Sequence, residues 1–411
     1  MEENLWIRSC SSASNSRKLS RMSSVIIVHH RKSSSLQNKI NITDKARKMF
    51  EKVDCLDFNI FDFSDQLNGG ELVGLTNLLF EKHNLFKACK INKLKFLNFT
   101  KTIQSGYKKV QYHNKTHGAD VAQTIYFFLM KGDWMTKGEI DNLDLISMIL
   151  GGSIHDYEHP GYNAAFLMKT NDKLTIRYND ISILENHHLA ASFELLNHTE
   201  NNFFEKLPTE DIKDVRKTMI ETVLSTDMSR HFADLGKFKS RIASQNFDPS
   251  GSDKVICLSM GMHIADISNP SKKWDISFKW TEWLYEEFFA QGDKERDLGM
   301  QISDLMDRTT INIAKSSIGF VDVIVEPAYV AFCKFLPHVQ ENLDNISANK
   351  SKWQNLVGDY QEKMRKAQEY FEANPPNVLV EADENIESSD GDSSPPSSFD
   401  ELSKSGAVQG G

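Results

Sequence analysis

The stretch GGSIHDYEHPGYN, residues 151–163, sets His155, Asp156, Glu158 and His159 directly behind the apolar run LDLISMIL. Polar groups exposed after a glycine break and ligands waiting for a metal are both open readings of it. Three further stretches repeat the theme at helix-face spacing. In YHNKTHGAD, His113 and His117 lie four apart, with Asp120 three further on. Residues so spaced share one side of a helix. LENHH puts Glu185 three before His188, and MHIADISNP places Asp266 at the end of an apolar run, before a proline that closes it. One histidine pair carries little weight, but four such clusters beside apolar runs carry much more, because Asp and His are seldom buried unless paired or coordinating. Imidazoles and carboxylates without a nearby cysteine suit a catalytic zinc or similar divalent ion better than a structural cysteine site. The surplus carboxylate suits a second, harder ion such as Mg²⁺, held partly through water. Two ions are natural tools for hydrolysing a phosphate ester.

The elements that must position these groups read as helices. ELVGLTNLLFEKHNLF and VAQTIYFFLMKG carry apolar residues at three- and four-residue spacing. KWTEWLYEEFFAQGDKERD aligns Trp280, Trp283, Leu284 and Phe288 in a stripe that Gly292 is expected to stop. Strand-like alternation is scarce and no repeat period is visible. The expected fold is all-α: a compact multi-helix catalytic domain over residues 46–374, with a deep bimetal pocket between disordered tails. Residues 1–45 are basic and Ser-rich, and 375–411 are acidic and Ser/Pro-rich.

With 411 residues, 40% of them hydrophobic, the chain has room for a sizeable core. Its net charge of −9 argues against nucleic acid as a partner. The ends differ in sign: residues 1–50 hold ten Lys/Arg against three acids, and 371–411 hold one Lys against nine acids. Five cysteines without a C-x-x-C pair point to a reducing compartment and a cytoplasmic location. No secretory h-region opens the chain, and VIIV at 25–28 is too short to span a bilayer, so no transmembrane segment is expected.

The set YHNKTHGADV, HDYEHPG, LENHH, TDMS (226–229) and ADISNP resembles the class I 3′,5′-cyclic nucleotide phosphodiesterases, a branch of the HD-type metal-dependent phosphohydrolases. EEFFAQGDKERDLGM and IGFVDVIVEP resemble that family's later helices in the same order, so the likeness covers residues 55–345. The resemblance implies hydrolysis of cAMP, cGMP or both to the 5′-monophosphate, ending cyclic-nucleotide signalling. It implies His117, His155, Asp156 and Asp266 as ligands of the tighter site, usually zinc. Asp156 would bridge to a second ion, Mg²⁺ or Mn²⁺, otherwise surrounded by water. His113 would be the general acid that protonates the ribose O3′, against attack by a hydroxide shared by both metals. His159, Glu185 and Thr226 would organise waters of the second ion and the hydrogen bonds of the acid. Tyr112, Asn269, Ser317, Phe320, Leu284 and Met306 would face the substrate, although core packing is the stronger expectation for Leu284 and Met306.

One position departs from the pattern. Ser317 stands where the family reads the base with a glutamine, and a hydroxyl reaches less far than an amide. Weaker base recognition is therefore expected, with Phe320 still able to stack on the base. HDYEH and IVEP lean towards the calmodulin-stimulated branch, whereas Asn269 resembles cAMP-preferring members. No subfamily follows. SRKLSRMSSVIIVHHRK lacks the clean amphipathic stripe of a calmodulin target. Partner expectations extend to a kinase acting on RKLS (17–20) or RKSS (31–34) and to a homodimer. A nucleotide phosphohydrolase of HD type, a non-catalytic cyclic-nucleotide sensor or scaffold, and purely structural histidines are the competing readings. The full set of expected ligands weighs against the last two.

Overall fold

The structure, a computed structural model, describes residues 42–373, and no β-strand occurs among them. Expectations for the two tails, including the kinase motifs and VIIV, lie outside the described residues. A short helix, Asp44–Phe50, opens the domain just ahead of the expected boundary because the Thr43 hydroxyl accepts the Ala46 N–H and caps it.

Ten further helices build and frame the site: α1 (Glu71–Lys82), α2 (Lys115–Met130), α3 (Asn142–Ile154), α4 (Ile183–Leu195), α5 (Thr209–Leu224), α6 (Lys254–Asp266), α7 (Trp274–Asp297), α8 (Ile313–Phe320), α9 (Glu326–Phe335) and α10 (Gln340–Ala373). Helix α2 is buried from Thr116 to Leu129, which is why its sequence reads apolar all round rather than striped. It starts where it does because the Asn114 side chain accepts the N–H groups of Thr116 and His117, at 2.9 and 3.4 Å. The motif YHN therefore doubles as a cap, and His117 falls in the first turn. An Asp141/Asp144 capping box starts α3.

Helices α2 and α3 cross with their backbones in contact. A Cβ at Gly152 would lie 2.9 Å from Ala122 backbone atoms, so a side chain there would force the helices apart. That crossing brings His117, at the start of α2, beside His155, just past the end of α3. Helix α3 packs on α5, α5 on α6, and α6 returns to α2, so Asp266, the last residue of α6, arrives at the same point. Its chain then turns through Asn269–Ser271, with Pro270 inside the turn. A buried ion pair, Lys272 to Asp120 at 2.5 Å, ties this turn to α2, and Lys272 also donates to Thr124. Asp120 is thus spent on packing and takes no part in the ligand cluster.

Gly292 does not stop the aromatic stripe. Helix α7 runs through it to Asp297 and ends at Gly299, where φ is +66°. Gly292 is needed for a different reason: a Cβ there would fall 1.8 Å from the Met306 carbonyl, so the loop between α7 and α8 rides directly on the helix. Phe320 closes α8 and leads into a π-helical turn, Val321–Val325, that continues as α9. Helix α10 packs along α8.

Candidate metal centre and acid catalyst

His117, His155, Asp156 and Asp266 each bring one donor atom to a common point, all within 4.8 Å of one another. The Nε2 atoms of His117 and His155 are 3.2 Å apart. Each also lies 3.0–3.2 Å from Asp266 Oδ1 and 3.1–3.3 Å from Asp156 Oδ2. Donors about 2.1 Å from a shared tetrahedral centre stand about 3.4 Å apart, so the spacing suits one divalent ion. The two rings meet at 66°, which lets their in-plane lone pairs converge. His155 Nδ1–H donates to the Gly152 carbonyl at 2.8 Å, which fixes the ring and leaves Nε2 for the cluster. Both imidazoles are buried. Burial opposes protonation of His155, but the charges of Asp156 and Asp266 outweigh it and hold that imidazole well above its ordinary value. An ion does the same work directly. Asp156 Oδ2, which faces the cluster, is buried without a hydrogen-bond partner, a further sign that the protein alone leaves it incomplete.

A second gathering of donors, His113, His159 and Glu287, lies alongside. It has another character. The rings of His113 and His159 stack at 4.0 Å and 24°, so their lone pairs run side by side and do not converge. Here the geometry is that of an oriented acid. His113 Nδ1 donates to Glu287 Oε1 at 2.5 Å, while Glu287 Oε2 accepts the backbone N–H groups of Tyr112 and His113 at 2.7 and 3.1 Å. Burial pulls His113 down, but Glu287 and then Asp156 outweigh it and raise the imidazole to about 9. Burial pushes Glu287 up, and the His113 charge more than reverses that, to about 2. The pair is an imidazolium on a carboxylate, with the His113 side chain 23% exposed and its Nε2 left free for chemistry.

The other expected residues fall around these two clusters. His159 is buried and held neutral, chiefly by burial and then by the His113 charge, and its Nδ1 accepts the Gly161 N–H. His188 stacks beyond it, donates Nδ1–H to the Tyr157 carbonyl at 2.6 Å, and turns Nε2 towards Asp156 at 3.7 Å. Glu185, in the first turn of α4, is pushed up to about 7 by burial and by the charges of Asp227, Asp156 and Asp266. Thr226 is buried and donates its hydroxyl to the Val223 carbonyl at the end of α5. The Tyr112 ring packs on His113 and His117, and its hydroxyl accepts from Asn269 Nδ2. Ser317 is buried on α8 beside the Tyr285 phenol; Phe320 and Leu284 are half-buried, and Met306 is buried in the loop before α8. Nothing in the geometry ties these last four to the metal cluster by a hydrogen bond.

Glu287 is the functional residue that motif reading missed. The signal was present: on the stripe Trp280, Trp283, Leu284, position 287 continues the apolar face, and a carboxylate there must be buried with a partner.

A family profile described as 3′5′-cyclic nucleotide phosphodiesterase matches residues 112–346. The bovine (Bos taurus) dual specificity calcium/calmodulin-dependent 3′,5′-cyclic nucleotide phosphodiesterase 1B is 38% identical over 281 residues, which is 68% of this chain and 52% of that protein. The human (Homo sapiens) protein of the same name is 39% identical over 274 residues, 66% of this chain and 50% of that one. The chain therefore spans about half the length of the curated relatives it matches. Among solved structures, the phosphodiesterase domain of the RhoPDE fusion protein from the choanoflagellate Salpingoeca rosetta superposes with a TM-score of 0.69 at 26% identity, covering 77% of this chain and 99% of that one.

Proposed function

The chain belongs to the 3′,5′-cyclic nucleotide phosphodiesterase family, and on that premise we propose that residues 46–374 form a catalytic domain hydrolysing cAMP and cGMP to their 5′-monophosphates. The observation that carries this reading is the juxtaposition of a four-donor cluster with a proton-bearing imidazole held by a buried carboxylate. His117, His155, Asp156 and Asp266 would hold zinc, and Asp156 would also reach Mg²⁺ or Mn²⁺. Ions bound there would supply Lewis acidity towards a phosphoryl oxygen and a water nucleophilic at neutral pH.

The protein's own groups account for the rest. Water adds at phosphorus and gives up a proton to solvent, the P–O3′ bond breaks, and the His113 Nε2 proton passes to O3′, leaving a 3′-hydroxyl and a 5′-phosphate; His113 regains a proton from solvent before the next turnover. Glu287 keeps His113 charged and aimed. His159, neutral and stacked on it, together with Glu185 and Thr226, would order the water around the second ion. Phe320 would stack on the base, with Asn269 and Tyr112 at the rim. The printed name of the relatives supports acceptance of both nucleotides. Four described cysteines, Cys55, Cys89, Cys257 and Cys333, are free thiols, which supports a reducing compartment such as the cytoplasm. Among the described residues no helix is long and apolar enough to cross a membrane.

The test is hydrolysis of cAMP and cGMP by purified protein loaded with Zn²⁺ and Mg²⁺, beside Asp156→Ala. Turnover present in the protein and lost in the variant is the expected result. A folded, metal-loaded protein that turns over neither nucleotide would return the reading to a sensor.

A further inference from the structure

Glu287 is the first of three buried polar residues four apart on α7. Gln291 and Glu295 follow it on the same helical face, and their exposures are 5%, 1% and 0%. Three uninterrupted polar positions on a buried face need partners, and each has found them in a different segment of the chain. Gln291 grips Asn163 twice: its Oε1 accepts the Asn163 N–H at 2.9 Å, and its Nε2 donates to Asn163 Oδ1 at 3.1 Å. Asn163 ends the stretch that begins with His155 and Asp156, and its side chain caps the next helix through the Phe166 N–H. Gln291 Nε2 also donates to Glu295 Oε1 at 3.0 Å. Glu295 in turn accepts the N–H of Ser303 at 2.6 Å and its hydroxyl at 2.7 Å. Ser303 belongs to the loop that carries Met306 across Gly292.

We propose that Gln291 and Glu295 are positioning residues for the reaction. Gln291 fixes the exit of the ligand-bearing stretch 155–163, and Glu295 fixes the loop 298–312, which carries Met306, a residue expected near the substrate. Helix α7 thereby acts as a ruler whose three rungs each hold a different segment, the acid, the metal stretch and this loop, with the last two rungs linked by the Gln291–Glu295 bond. Only a helix continuous through Gly292 can do this, since the rungs lie on both sides of it. The surrounding ion pairs, Arg308 and Arg296 with Asp293 and Asp307, anchor the same loop to α7 from its flank. What is positioned rests on the phosphodiesterase reading, but the contacts that do it do not.

The rungs separate in experiment. Gln291→Met keeps the bulk and removes both bonds to Asn163; Zn²⁺ affinity, read by competition with a chromophoric chelator, should fall about tenfold or more, as for other groups that hold ligands in place. The dependence of rate on pH, set by His113, should stay where it is. Glu295→Gln, and Ser303→Ala as a milder variant in the half-buried partner, should speed amide hydrogen exchange over 298–312 and raise KM more than they lower kcat, with Zn²⁺ affinity intact. Equal loss of thermal stability in all three variants, without the split between metal affinity and loop exchange, would overturn the proposal. Because chelator competition and exchange need no turnover, failure to hydrolyse cyclic nucleotides would sink the functional reading and leave the positioning reading to its own test.

Discussion

Replacing Glu287 by glutamine removes one charge and nearly no volume, and its effect can be worked out from the contacts. Both carboxylate oxygens are in use: Oε1 takes His113 Nδ1–H, and Oε2 takes two backbone N–H groups. An amide can satisfy one side and must turn its NH₂ towards donors on the other. The larger effect is electrostatic. The raised value of about 9 for His113 depends on Glu287 first and Asp156 second, working against burial. Without the Glu287 charge, burial is opposed only by Asp156 and Asp266, so the imidazole falls below that value. The protonated fraction at pH 7.5 falls with it, and so does the rate. Lost aim adds at least as much, so kcat/KM should drop by about a hundredfold, the low end for a general acid. The sign is definite. An acid with a raised pKa is active below that value, so activity falls as pH rises through it. In Glu287→Gln that basic limb moves to lower pH. The assay is kcat/KM for cAMP from pH 5.5 to 9.5 at saturating Mg²⁺, with zinc content and melting temperature checked in parallel. A variant with full zinc, native stability and an unmoved basic limb would refute the assignment of Glu287 and, with it, of His113.

Three other outcomes follow from the same structure. Ser317→Gln restores the amide that the family uses, and KM for at least one nucleotide should fall severalfold; unchanged affinity for both would remove Ser317 from base recognition. Lys272→Met leaves Asp120 charged, buried and unpaired, so urea unfolding should show about 3–5 kcal/mol less stability, most of it recovered in the double variant with Asp120→Leu. His231 and His263 meet in the core at 2.8 Å, and burial, then the His263 charge, pull His231 down to about 4. A histidine with a lowered folded value stabilises fully above pH 6.5 and loses that stabilisation as pH falls towards 4, by roughly 3 kcal/mol. Urea midpoints at pH 7.5 and 4.5 should therefore differ less in His231→Gln than in the natural chain.

The cluster of four donors was legible because metal chemistry restricts residue type so tightly. Few side chains bind a divalent ion, and their spacing on helices betrays a shared face. His117, His155, Asp156 and Asp266 come together from the ends of three helices, and those ends were marked in the sequence by Asn114, by the apolar run before His155 and by Pro270. What the sequence hid was of two kinds. Glu287 lay on the apolar stripe of α7 and its burial was readable there, but Gln291 and Glu295 were lost because an amide or carboxylate inside EEFFAQGDKERD looks like the solvated face of a helix, and their partners in other segments are not visible locally. Asp120 hid its role as well: it stands one turn from His117, but its partner Lys272 lies 152 residues away and is invisible to local reading. Gly292 shows the same limit at the backbone. Propensity makes glycine a stop, but tertiary contact outweighs about 1 kcal/mol of helix propensity when a neighbouring carbonyl must pass where a Cβ would stand. In each case the residue type is explained by a contact between distant segments. The donors of this cluster are thus written locally, whereas the buried polar residues of α7 that hold the neighbouring segments take on meaning only when the chain is folded.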